Sequence, residues 1–292
     1  MSSVTVILPV YNVRPYLRAA LDSLVAQTVR DWTAVCVDDG STDGSGEILE
    51  EYAARDGRIT VVHQPNAGVS VARNAGLDRA DGEIVMFMDP DDIAGPEWMA
   101  RLTDGVRDVD LAWGATTTEC EGRIGRDGPQ DVGAVYEGDA VRRRVWRATF
   151  GYRLRDLVGL FLPGGIWHCC RREFGNVWSR AFRREVIGDL RFDPKVRLYE
   201  DSLFLCAYAA RAKSMRVIGD TGYRYFIRSR GAMMTEARER LLQGKFVLRD
   251  ARRRIDPKMT HWRGSFLLSA VEVFRIAGPG AAWRYLRGGE PA

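Results

Sequence analysis

Three carboxylates fall within four residues of this 292-residue chain: Asp89, Asp91 and Asp92, with Pro90 inside the group. They end the apolar run Ile84–Met88 in the stretch EIVMFMDPDDIAGP. Such a cluster is either a solvated acidic turn or a site for a hard cation. Mg2+ and Mn2+ want oxygen ligands and typically take one or two carboxylates plus phosphate oxygens. A second acidic pair, Asp38-Asp39 in VDDGSTDGS, also closes an apolar run. A third, Glu200-Asp201 in YEDSLF, opens a helical pattern. Asp and Ser favour turns and N-caps, and acids suit a helix N-terminus, so each pair has a structural reading beside its chemical one.

The elements around these acids alternate. VTVILPV, TAVCVD, RITVVH and EIVMFMD are strand-like, and residues 15–27, 44–56 and 69–80 have helical spacing. This β-α-β-α-β-α-β order predicts an α/β domain with a Rossmann-like, largely parallel, doubly wound sheet. Ligands of such sheets sit at the carboxyl ends of the strands. Those ends carry Pro9-Val10-Tyr11-Asn12, Asp38–Ser41 and Asp89–Asp92, as a nucleotide site would require. Further on, VDLAWGATTTE reads as a strand, residues 121–134 as a loop and 138–165 as a helical excursion. Residues 176–228 read as mixed structure and 236–292 as basic helices, with turn signals at Asp256-Pro257 and Gly278-Pro279-Gly280.

Composition is that of a globular protein, with 46% hydrophobic and 28% charged residues and a net charge of +4. From Glu236 onward there are 12 Lys/Arg against 6 Asp/Glu, while the first 235 residues are slightly acidic. That basic stretch is either a solvated helical face or a contact for an anionic surface such as lipid. Five cysteines form no CxxC pair and lack zinc spacing, and Cys36 reads as a buried small hydrophobe. The first residues do not read as a signal peptide, and no apolar run reaches bilayer length. The expectation is a cytoplasmic protein, at most peripheral on the inner face of the membrane.

Several chemistries are excluded. PVYNVRP replaces the GxGxxG of a dinucleotide-binding turn. Val37 stands where a haloacid-type phosphatase would need its nucleophile. GxxxxGK[ST], HExxH and GxSxG are absent, and no nucleic-acid motif is present. A metal-assisted site remains.

Taken jointly, VILPVYN (6–12), SLVAQT (23–28), VDDGSTDGS (37–45), residues 66–92 and YEDSLF (199–204) resemble the family-2 glycosyltransferases with the GT-A fold. The likeness is strong over the first hundred residues, holds in the middle at NVWSRAFRREVI, RFD and YED, and is weak over the last sixty. It implies an inverting transfer of a sugar from a nucleotide-sugar to a hydroxyl of a glycan, lipid-linked or small-molecule acceptor.

By this resemblance Asp39 accepts the N3–H of uracil, and Pro9, Tyr11 and Asn12 line the base and ribose pocket, although Tyr11 also suits plain core packing. Arg73 faces the nucleotide or the acidic cluster. Asp92 is the expected direct ligand of Mn2+ or Mg2+. Asp91 contacts ribose or sugar hydroxyls or shares the metal, and Asp89 contacts the donor sugar or buttresses Arg73. Asp201 is the expected base, or a helix cap, or both, with the helix dipole lowering its pKa. Glu200 orients it or binds acceptor. Trp167 stacks on an acceptor sugar or packs. The histidine that many relatives carry after the last strand is missing from YRYFIRSRGAMM, and Arg228 and Arg230 are candidates to grip the diphosphate instead.

The expected division is a nucleotide-sugar part at 1–113, an acceptor-binding and base-bearing part of the same domain at 114–235, and a basic helical extension at 236–292. A nucleotidyltransferase and an inactive GT-A-like scaffold are the competing readings.

Overall fold

A computed structural model describes residues 3–120, 122–150, 176–227, 246–247, 249–250 and 281–287. Its first third alternates as the sequence predicts: β1 (Val4–Val10), α1 (Arg14–Val25), β2 (Trp32–Asp38), α2 (Ser45–Arg55), β3 (Ile59–His63), α3 (Val69–Leu77) and β4 (Ile84–Phe87). Then come β5 (Ile93–Ala94), α4 (Trp98–Gly105), β6 (Leu111–Cys120), β7 (Arg123–Asp127), β8 (Val135–Glu137) and α5 (Asp139–Phe150). After residue 175 follow β9 (Arg180–Arg183), α6 (Arg184–Ile187), α7 (Glu200–Arg211) and β10 (Ser214–Ile227).

The strands form one sheet in the order β3-β2-β1-β4-β9-β6-β10-β5, with β7 beside β6 and β8 beside β10. β1 is parallel to β2 and β4, and β2 to β3, so their carboxyl ends share one rim. β9 runs antiparallel between β4 and β6 and joins the nucleotide-type half to the rest of the sheet.

β1 is buried at every position because both faces are covered. Val4, Val6 and Leu8 pack with the apolar stripes of α1, α2 and α4 on one face. Ile7, one residue out of phase, points into a second cluster with Val85, Phe87 and the inner side of α7. That period of two is what a doubly wound sheet demands. In the second cluster Phe87 meets Phe182, Phe192 and Phe204 edge-on, and Phe192 stacks on Phe204 at 4.1 Å. Each such pair adds about 0.5–1.5 kcal/mol beyond its buried area. Their effect is to dock α7 against the end of β4.

Two expectations change. Residues 121–134, read as a loop, contain β7, which pairs antiparallel with Thr116–Cys120. Its turn-prone, charged sequence RIGRD belongs to a solvent-exposed strand, where apolar alternation is not required. SMRVIG and YRYFI, read as separate segments, are one irregular strand, β10. Near the C-terminus, Phe246, Ala281 and Tyr285 form a small cluster of their own. The two turn signals lie outside the described residues.

Candidate active site

The rim is built from three loops and one helix end. Asn12, in the left-handed region at φ 50°, follows β1; its amide donates to Ser41 Oγ and its Oδ1 accepts Thr42 N–H at 2.8 Å. Asn12 thus ties the first loop to the second. Pro9 is buried in β1 and Tyr11 is 49% exposed beside it, so Tyr11 is not core packing.

Asp38 and Asp39 separate their duties. Asp38 accepts Ser41 N–H within its own turn and pairs with His63 Nδ1 at 2.9 Å, while His63 Nε2 meets Glu50 at 2.8 Å. Glu50 and then Asp38 raise the His63 pKa. Asp39 is buried and accepts from Gln64 Nε2 and Ala67 N on Oδ1 and from Gly68 N on Oδ2. It therefore pins the loop entering α3. A carboxylate has about four acceptor sites, so these three donors leave room for one more.

Arg73, on α3, is 4% exposed. One of its terminal nitrogens donates to Asp201 and, at 3.1 Å, to Glu200; the other donates to Asp89 at 3.3 Å. The guanidinium lies over the Phe192 ring, whose backbone the neighbouring Asn74 amide clamps with two 2.8 Å hydrogen bonds. The acid at the end of β4 and the two acids at the start of α7 thereby meet on one cation.

Three carboxylates share that single charge, and burial dominates: Asp201, its side chain 19% exposed, is pushed up to about 7, with Arg73 opposing and Glu200 and Asp89 adding to the rise. The expectation from sequence is the opposite, a pKa lowered by the helix dipole. Desolvation outweighs a half-charge dipole at a site this enclosed.

The acidic turn is not uniform. Asp89 and Asp91 are half-buried at the rim. Asp92 is 0% exposed; its Oδ2 accepts the Tyr223 hydroxyl at 2.8 Å and its Oδ1 the Phe226 amide at 3.0 Å. Asp92, the direct metal ligand expected from sequence, is thus the most enclosed of the three acids, with one donor from β10 on each oxygen. Burial, then Asp89 and Asp91, pushes its pKa well above the carboxylate range. Among the described residues no three His, Cys, Asp or Glu side chains could hold a metal ion as a group.

Sequence reading missed the aromatic backing of this turn. Tyr223 stacks on Trp178 at 5.4 Å and Trp178 on Tyr225 at 4.8 Å. The Tyr-x-Tyr spacing in GYRYFI, period two, was the available signal. Trp167, Arg228 and Arg230 lie outside the described residues.

Against this geometry, the model of the family "Glycosyl transferase family 2" matches residues 5–171, more than half of the chain. The chain belongs to glycosyl transferase family 2. This family-2 chain is 32% identical over 225 residues to "Uncharacterized glycosyltransferase EpsJ" of Bacillus subtilis (strain 168), covering 76% of this chain and 60% of that protein. It is 36% identical over 241 residues to "Glycosyltransferase GlyG" of Streptococcus pneumoniae serotype 4, covering 80% and 73%. It thus spans about three fifths of EpsJ.

Its structure is similar to that of S. aureus TarS 1-349 in complex with UDP-GlcNAc, with a TM-score of 0.69 at 20% identity over 98% of this chain and 81% of that one. It is also similar to mannosyltransferase PcManGT from Pyrobaculum calidifontis in complex with GDP-Man and Mn2+, with a TM-score of 0.59 at 21% identity over 98% and 74%. The family-2 chain has the GT-A type of α/β fold expected from its motifs.

Proposed function

We propose that this chain is a metal-dependent inverting glycosyltransferase, moving a sugar from a nucleotide-sugar, UDP-linked by preference, to a hydroxyl acceptor. One observation carries the reading: Arg73 joins Asp89, at the strand end where a donor would lie, to Asp201, the candidate base. Relatives named as glycosyltransferases and neighbours solved with UDP-GlcNAc or GDP-Man support it.

In this reading Asp39 uses its remaining acceptor site for the imide N–H of uracil, beside Pro9, Tyr11 and Asn12. Asp89 faces the donor sugar and buttresses Arg73. The half-exposed carboxylates at the rim fit Mn2+ or Mg2+, which need only one or two such ligands. Asp91 is the better placed to meet the ion, with Asp92 behind it. Bound there, the ion would offset charge on the departing diphosphate as a Lewis acid.

Asp201 takes the acceptor hydroxyl proton as that oxygen attacks the anomeric carbon, on the face opposite the breaking bond to the diphosphate. Arg73 and Glu200 hold its orientation. Trp167, Arg228 and Arg230 stay assigned to acceptor or diphosphate contact. The parts 1–113 and 114–235 act as donor side and acceptor side of one domain, as a shared sheet suggests. The basic stretch 236–292 and the arginines of α5 give salt-sensitive, peripheral contact with anionic membrane. Among the described residues no helix is long and apolar enough to cross a bilayer.

The test is UDP release across a panel of UDP-sugars and GDP-sugars with Mn2+ or Mg2+, with product anomeric configuration read by NMR. Asp201→Asn and Asp91→Ala should each abolish most turnover. If both variants are folded and as fast as the parent, the mechanism is wrong.

A further inference from the structure

The Tyr223 hydroxyl reaches both ends of the acidic turn. It accepts the Asp89 amide N–H at 3.0 Å and donates to Asp92 Oδ2 at 2.8 Å. Its ring is fully buried between Trp178, nearly parallel at 5.4 Å, and Trp98, tilted at 5.6 Å. Its backbone pairs with Ala94, just past the turn. The side chain is therefore enclosed by β10 and the two tryptophans.

Between the two bonds lie Pro90, buried, and Asp91, at the rim. The turn therefore has its first amide and its last side chain fixed to one oxygen atom. That constrains the direction in which Asp91 is presented.

We propose that Tyr223 is a positioning residue for the acidic turn, holding Asp91 toward the cation from behind while Asp92 serves as its anchor rather than as a ligand. This rests on the metal-dependent reading above. It adds a residue that the sequence motifs did not single out and reassigns Asp92.

The experiment measures Mn2+ affinity of the full chain in the presence of UDP, by electron paramagnetic resonance of free Mn2+, for the parent, Tyr223→Phe, Asp92→Ala and the double variant. Tyr223→Phe keeps the stacked ring and is expected to weaken Mn2+ binding roughly tenfold, with metal-free UDP affinity unchanged. The double variant should be no weaker than Asp92→Ala alone, because both changes cut the same link.

Unchanged Mn2+ affinity in Tyr223→Phe overturns the proposal, and so do losses that multiply in the double variant, which would mark Asp92 as an independent ligand. If the parent itself shows no Mn2+-dependent UDP binding, the metal-dependent reading fails and takes this inference with it. Should Tyr223→Phe not fold, hydrogen exchange decides. The Asp89 amide is expected to exchange faster in Asp92→Ala than in the parent, and an unchanged rate overturns the link.

Discussion

Arg73 donates to the carboxylate of Asp201 across 128 positions of sequence, and the same guanidinium reaches Asp89 and Glu200. One buried cation is thus shared by three acids, one just past β4 and two at the start of α7. The pairing is a stability element and a site element at once, because removing it strands charge in an enclosed place.

Arg73→Ala should be among the most costly single changes in the chain. Breaking a buried ion pair by removing one partner costs about 3–5 kcal/mol. Denaturant unfolding would show it. Arg73→Lys should recover only part, since an ammonium is a point charge and cannot fork to acids on two sides. A loss under ~1 kcal/mol for the alanine variant would contradict the shared-cation account.

Asp201→Asn should retain UDP binding while kcat falls by about 10²–10⁴, the usual range for a lost general base. The pH dependence follows from the raised pKa. The base must be ionised, so the parent's rate should climb with pH through about 7 rather than through the ordinary carboxylate range. Stability runs the other way. The native state holds this proton more tightly than the unfolded chain, so the contribution of Asp201 falls as pH rises from about 4 to about 7. The asparagine variant should lack both effects.

His63 gives a slope of the same sign from a different cause. Glu50 and Asp38 raise its pKa in the folded state. The stabilisation is fully present below the unfolded value, about 6.5, and is lost as pH rises through the raised folded value. The ring is half-exposed, so screening keeps the effect under about 1 kcal/mol. Thermal melts of parent and His63→Gln across that window should converge at high pH and separate at low pH.

Gly76→Ala should destabilise by about 1–3 kcal/mol. A Cβ at Gly76 would stand 2.4 Å from Ile7 Cγ2, where α3 lies directly on β1. Because α3 also carries Arg73, activity should drop along with the melting temperature. A variant as stable as the parent would mean that this helix has slack.

The alternating first third, its parallel sheet and the polar strand ends were legible in the sequence because they rest on local rules. Apolar runs of strand length, helical spacing and turn chemistry all act within about a dozen residues. The GT-A motifs marked Asp39, Arg73, Asp89 and Asp201 as candidates by type and order. β7 was not legible, since an exposed strand needs no apolar alternation, and neither was the joining of two segments into β10.

What tertiary structure alone decided is how charge is shared and what is buried. That both oxygens of Asp92 meet β10 depends on a tyrosine 131 positions later and on the Phe226 amide. Whether Asp201 titrates low or high depends on how much water is displaced and how many acids share Arg73. These are sums over neighbours brought together by folding, and no spacing along the chain encodes them.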